Sequence, residues 1–167
     1  MRHTRSRPSL SRHLLGAHPL IRHYLERMNF RGIIRDCLGS GLRAGVDDAE
    51  VLSVLVHNVL VSRGPMYRIR QWAQRLEPEA LGLTQAQVNG LNDDRIARSL
   101  DALASERGRN VFFRLARRAI KDFELRIPRV HFDTTSVTFF GQYEGSRSEL
   151  RITHGHNKDH RPDLKQL

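Results

Sequence analysis

Ile127-Pro128 divides the chain into two stretches of different periodicity, and this break limits the fold more than any other feature. The residue before a proline is sterically pushed out of the helical region, so the helix pattern leading up to it must end there. Upstream, apolar residues recur three and four apart, as on one face of an α-helix. Downstream, residues 129–140 are rich in β-branched and aromatic side chains, the composition of a half-buried strand.

The upstream stretch reads as a series of helices. From His18 the pattern is Leu20, Ile21, Tyr24 and Leu25, then Ile33, Ile34 and Leu38, with Gly39 and Gly41 as breakers. Asp47 and Asp48 offer an N-cap and favourable charge to a helix with Leu52, Leu55, Val56, Val59 and Leu60 on one face, ended by Gly64-Pro65. Ile69, Trp72, Ala73 and Leu76 follow, closed by Pro78, and Thr84 caps a short turn up to Gly90. Asn92, Asp93 and Asp94 then cap a helix whose inward face is Ile96, Leu100 and Leu103. The last helix, residues 109–124, is the most regular. Phe112, Leu115, Ala116, Ala119, Ile120 and Phe123 make its apolar stripe, while Arg114, Arg117, Arg118 and Lys121 fall on the opposite side.

That cationic side matters because the 167 residues carry 28 Lys and Arg against 18 Asp and Glu, a net charge of +10. Such a surplus favours polyanionic partners, nucleic acid first. Nearly all of it is arginine, with lysine only at Lys121, Lys158 and Lys165, a skew that GC-rich coding also produces. The face is a candidate DNA-backbone stripe or a merely solvated one. Residues 1–13, with Arg2, Arg5, Arg7 and Arg12 and no acid, read as the core of a mobile basic arm.

Membrane and export readings are disfavoured. The longest apolar region, residues 51–61, is interrupted by Ser53, His57 and Asn58 and falls short of the roughly 20 residues a spanning helix needs. Leu14-Leu15-Gly16-Ala17 is too short for a signal-peptide core. Cys37, the single cysteine, can form no intrachain disulfide and reads as a packed thiol in a reducing compartment. The expectation is a cytoplasmic protein.

Beyond the break, residues 129–140 form an expected strand, residues 141–148 a turn-rich connection, and residues 149–153, with Leu150 and Ile152, a second strand. An antiparallel hairpin is the natural pairing. Asp133 stands in the middle of the first strand, followed by Thr134, Thr135 and Ser136. Those hydroxyls can satisfy a structural carboxylate, or orient one for Mg²⁺, which takes one or two carboxylates and keeps several waters. Spacing alone leaves both open. His154, His156 and His160 raise a zinc reading, but no fixed ligand set with a fourth position is evident.

Phe132-Asp133-Thr134-Thr135-Ser136, Phe140-Gly141 and the run from Lys158 to Gln166 resemble the start of the catalytic domain in insertion-sequence transposases of the DDE type. Gly64-Pro65-Met66-Tyr67 and the run from Leu91 to Leu100 resemble the helical domain that precedes it in one branch of that family. The resemblance implies a ribonuclease H-like fold in which Asp133 is the first of three metal-binding acids. Two Mg²⁺ ions held there would let water, and later a 3′-hydroxyl, attack a phosphodiester. Asp159 and Asp163 match a family loop and not the second and third acids, which would lie outside these residues. Where His156 and Asn157 stand, the family more often shows an aromatic and a small polar residue.

The expected fold class is therefore α+β: a basic arm (residues 1–17), a helical domain (18–126), and the opening β-hairpin of an incomplete ribonuclease H-like mixed sheet (127–167). The expected function is DNA binding within a DNA-cutting and DNA-joining transposase, the isolated chain being inactive for want of two acids. Asp133 is the expected catalytic and metal residue. Arg114, Arg117, Arg118, Lys121, Lys158 and Arg161 are the expected DNA contacts. DNA is the expected partner, with a homo-oligomer or a completing chain compatible with the pattern. The competing reading is a noncatalytic DNA- or partner-binding helical module, or a remnant of a disrupted transposase gene.

Overall fold

The computed structural model describes residues 13–39, 45–127, 129, 138–139, 153–154 and 165–166. The chain divides into two compact units, residues 1–126 and 127–167.

The described part of the first unit is helical. Its α-helices are α1 (His18–Arg27), α2 (Phe30–Leu38), α3 (Asp48–His57), α4 (Ile69–Ala73), α5 (Gln85–Gly90), α6 (Asp93–Ala104) and α7 (Arg109–Asp122). A π-helical turn, Asn58–Ser62, prolongs α3, and short 3-10 turns precede α4, α5 and α7. One parallel bridge, Leu14 to Leu76, ties the start of the described chain to the end of α4.

α3 is the central element. Ala49, Val51, Leu52 and Val54 are all buried, so this helix is apolar nearly all round, as a helix covered on several sides must be. Val51 and Val54 pack with Ile69, Leu81, Val88, Leu91 and Ile96. Ala49 and Leu52 pack on another side with Leu25, Phe30, Ile34 and Val111. The sequence reading gave α3 one apolar face; the structure gives it two cores.

Helix starts follow the local chemistry. Asp47 accepts from the Glu50 amide at 2.8 Å while Glu50 accepts from the Asp47 amide at 2.8 Å, a reciprocal cap on α3. Thr84 and Gln87 repeat the arrangement at α5. Asn92 accepts from the Arg95 amide at 2.7 Å to start α6.

Several arginines are committed to this architecture. Arg95, only 4% exposed, donates to Asp48 at 2.7 Å and to the Val46 carbonyl at 3.1 Å. Arg31 donates to the carbonyls of Gly82 and Leu81 at 2.8 and 2.7 Å. Arg35 donates to Asp47 at 2.6 Å, and Arg70 to the Leu91 carbonyl. Part of the positive surplus thus closes orphan carbonyls and buried carboxylates and does not face a partner.

The continuous helical pattern read from His18 is broken at Asn29, which adopts a left-handed backbone (φ 51°) between α1 and α2. Asparagine tolerates that conformation better than most residues, and the turn lets the two helices diverge.

The α+β expectation is overturned. The described fold is helical, and the expected hairpin between residues 129–140 and 149–153 is not seen. The described pairing in the second unit joins two-residue segments only, β1 (Thr138–Phe139), β2 (Thr153–His154) and β3 (Lys165–Gln166), in the order β1-β3-β2. The expected partners each face β3 and not one another. Strand propensity reports fit to a half-buried pleated surface and does not name a partner, and two strands without a wider sheet are marginal in water.

Candidate nucleic-acid interface

The seating of α7 determines which of its residues reach solvent. Gly108 precedes the helix against the end of α6, where an added Cβ would lie 1.8 Å from the Leu103 carbonyl oxygen. This close approach places Val111 in the core and Leu115 half-buried beside it. Arg114, Arg117, Arg118 and Lys121 are then exposed, as their offset from Val111 and Leu115 requires. The apolar stripe differs from the expected one: Val111 is buried, whereas Phe112 is 82% exposed.

Two of the four cations have partners. Arg114 lies 3.7 Å from Asp36 and donates to the Cys37 sulfur at 3.4 Å. The Cys37 contact, with Asp36 beyond it, raises the Arg114 guanidinium above its ordinary range and keeps it charged. Arg118 donates to Asp122, one turn on, at 2.5 Å. Arg117 and Lys121 have no ion-pair partner among the described residues. Exposed pairs of this kind are screened by water, so Arg114 and Arg118 can exchange a carboxylate for a phosphate at little cost.

α2 supplies the other wall. A cleft of about 210 Å³ is lined by Asn29, Ile33, Asp36, Arg114, Arg117, Arg118 and Lys121. A second hollow of about 500 Å³, lined by Asp36, Cys37, Arg107, Asn110 and Arg114, continues toward the start of α7. From Arg107 to Lys121 the cationic strip runs roughly 21 Å at the helical rise, the axial length of about six base pairs. Arg27 fastens α1 to the far end, donating to the Asp122 carbonyl at 2.8 Å with its guanidinium 4.4 Å from the Phe123 ring centroid.

Sequence periodicity grouped the four α7 cations, and the structure brings them together. It missed Arg107, two turns before Arg114 and legible as an upstream extension of the same stripe. It also missed Asn29 and Asp36, which belong to other elements and carry no signal in α7. Asp133, Lys158 and Arg161 lie outside the described residues. Among the described residues no three His, Cys, Asp or Glu side chains gather as a metal site. No helix among them is long and apolar enough to cross a membrane.

A family model matches residues 11–117, which include α1 to α6 and the first half of α7. The chain belongs to the family described as Domain of unknown function (DUF4277). No curated protein and no solved structure matches it. The DUF4277 region contains Arg107, Arg114 and Arg117 and ends before Lys121 and Asp133.

Proposed function

We propose that the helical domain holds DNA by its phosphates along α7, as the N-terminal part of a DDE-type transposase. The observation that carries the DNA contact is the exposed line of Arg114, Arg117, Arg118 and Lys121, with Arg117 and Lys121 free of ion pairs among the described residues. Phosphate neutralisation by such a line releases condensed counterions, which gives affinity without base readout. Arg117 and Lys121 meet phosphate first. Arg114 and Arg118 follow by turning away from Asp36 and Asp122. The link to transposition rests on the resemblance of residues 129–166 to the family's first catalytic strand and the residues after it. In that reading Asp133 helps hold Mg²⁺, which supplies charge stabilisation at the phosphodiester when bound.

A second reading is favoured by one finding: the matched family region stops at residue 117, before Asp133. A noncatalytic DNA-binding module needs the helices alone. Both readings require the cationic strip. Fluorescence anisotropy with the full chain and a labelled duplex tests it. At about 0.1 M salt, Arg117→Ala with Lys121→Ala weakens binding by one to two orders of magnitude, since each lost phosphate contact removes a counterion-release contribution. Unchanged affinity refutes the strip as the contact. Asp133→Ala leaves binding unchanged in either reading; finding the rest of the sheet and the two further acids encoded downstream of residue 167 favours the transposase reading over the module.

A further inference from the structure

The apolar stripe of α3 runs past the edge of its core. Leu52 is buried, Leu55 and Val56 are half-buried, and on the π-helical turn Val59 and Leu60 are each 62% exposed. Phe112 of α7, 82% exposed, stands at the other rim of the groove that this leaves. The groove has a volume of about 640 Å³ and a floor that includes Phe30, Ile34 and Leu52. Arg109 is the only charged residue in its lining among the described residues.

We propose that this groove is the contact between two copies of the chain. Its shape suits a two-fold pairing, because one patch holds both a hollow and the apolar ridges, Phe112 and Leu60, that can fill the same hollow in a second copy. Its charges suit it too. Glu106 and Arg109, one turn apart and exposed, have no ion-pair partner among the described residues. A two-fold axis between them sets Glu106 of one copy against Arg109 of the other, whereas a partner of single charge sign would leave one of them opposed. Phe112, Val59 and Leu60 stand exposed at the rims of the groove, apolar side chains that a second copy would remove from water. Two chains of net charge +10 repel each other, which favours contact at the patch poorest in charge. This inference does not depend on the nucleic-acid reading.

Sedimentation equilibrium of the full chain without DNA, from micromolar to hundred-micromolar concentration, tests it. A monomer–dimer equilibrium is expected. Phe112→Asp and, separately, Leu60→Asp weaken association at least tenfold while circular dichroism stays that of the parent, as both residues are largely exposed. Glu106→Arg also weakens it, and adding Arg109→Glu to that variant restores dimerisation to within a few-fold. A monomer at every concentration overturns the proposal. So does a dimer that all of these substitutions leave unchanged, since its contact would lie elsewhere.

Discussion

His18 and His57 meet Nδ1 to Nδ1 at 3.1 Å in the interior of the helical unit, so one ring must donate and the other accept. His18 is 2% exposed and His57 fully buried, and the edge of Trp72 closes over His18 with ring centroids 5.5 Å apart. The bond joins α1 to α3 while one Nδ1 carries a proton and the other is bare, so it is lost when both rings become charged. Burial first, then His18 and Arg31, push His57 down to about 4, and burial lowers His18 as well. The folded state therefore binds fewer protons than the unfolded chain once the pH falls below the ordinary value of 6.5. Stability is full above that value and drains away as the pH approaches about 4, by on the order of 3 kcal/mol for His57. Urea unfolding at intervals down to about pH 5, above most carboxylate titration, checks this. A profile flat across that window contradicts it, and a His18→Gln/His57→Gln variant flattens it.

Gly108→Ala is expected to destabilise the unit by about 2 kcal/mol, because overpacking against rigid backbone cannot relax by a rotamer change. The new Cβ would fall 1.8 Å from the Leu103 carbonyl oxygen, so α6 and α7 must separate. Thermal melting reads the loss. A variant as stable as the parent would show that α7 is not seated by this contact.

Asp47→Ala removes the cap of α3 and leaves Arg35 without its 2.6 Å carboxylate partner. Loss of a cap costs about 1 kcal/mol, and Arg35 is left with only its longer 3.6 Å contact to Glu50. Asp47→Asn keeps a cap acceptor and should recover about half of the loss in chemical denaturation. Equal losses for both variants would assign the whole effect to the ion pair.

Helix starts were the most legible part of this chain, because Asp47, Thr84 and Asn92 each act on the amide three residues on. The inward face of α7 was not. Val111, Phe112 and Phe113 are consecutive apolar residues, and periodicity cannot choose among them; the choice is made by Gly108 and α6, which are tertiary. Arg31, Arg35 and Arg95 close carbonyls and carboxylates up to about fifty residues away, partners no local pattern reveals. The β-branched run after Ile127 carried strand propensity, but propensity holds no information on pairing. The described ladder therefore differs from the expected hairpin. For the candidate interface, spacing alone identified the α7 cations, whereas the second wall, from Asn29 to Asp36, depends on how α2 packs.

The central claim is that the α7 strip binds nucleic acid through phosphates, and the salt dependence of affinity tests it most directly. Binding of the full chain to an unrelated duplex, measured from about 0.05 to 0.2 M salt, should fall linearly on logarithmic axes, with a slope near −0.9 per phosphate contacted. Each strip cation that meets a phosphate adds about −0.9 to the slope, so Arg117→Ala with Lys121→Ala should make it shallower by about 2. A slope that is the same in parent and variant would contradict the claim.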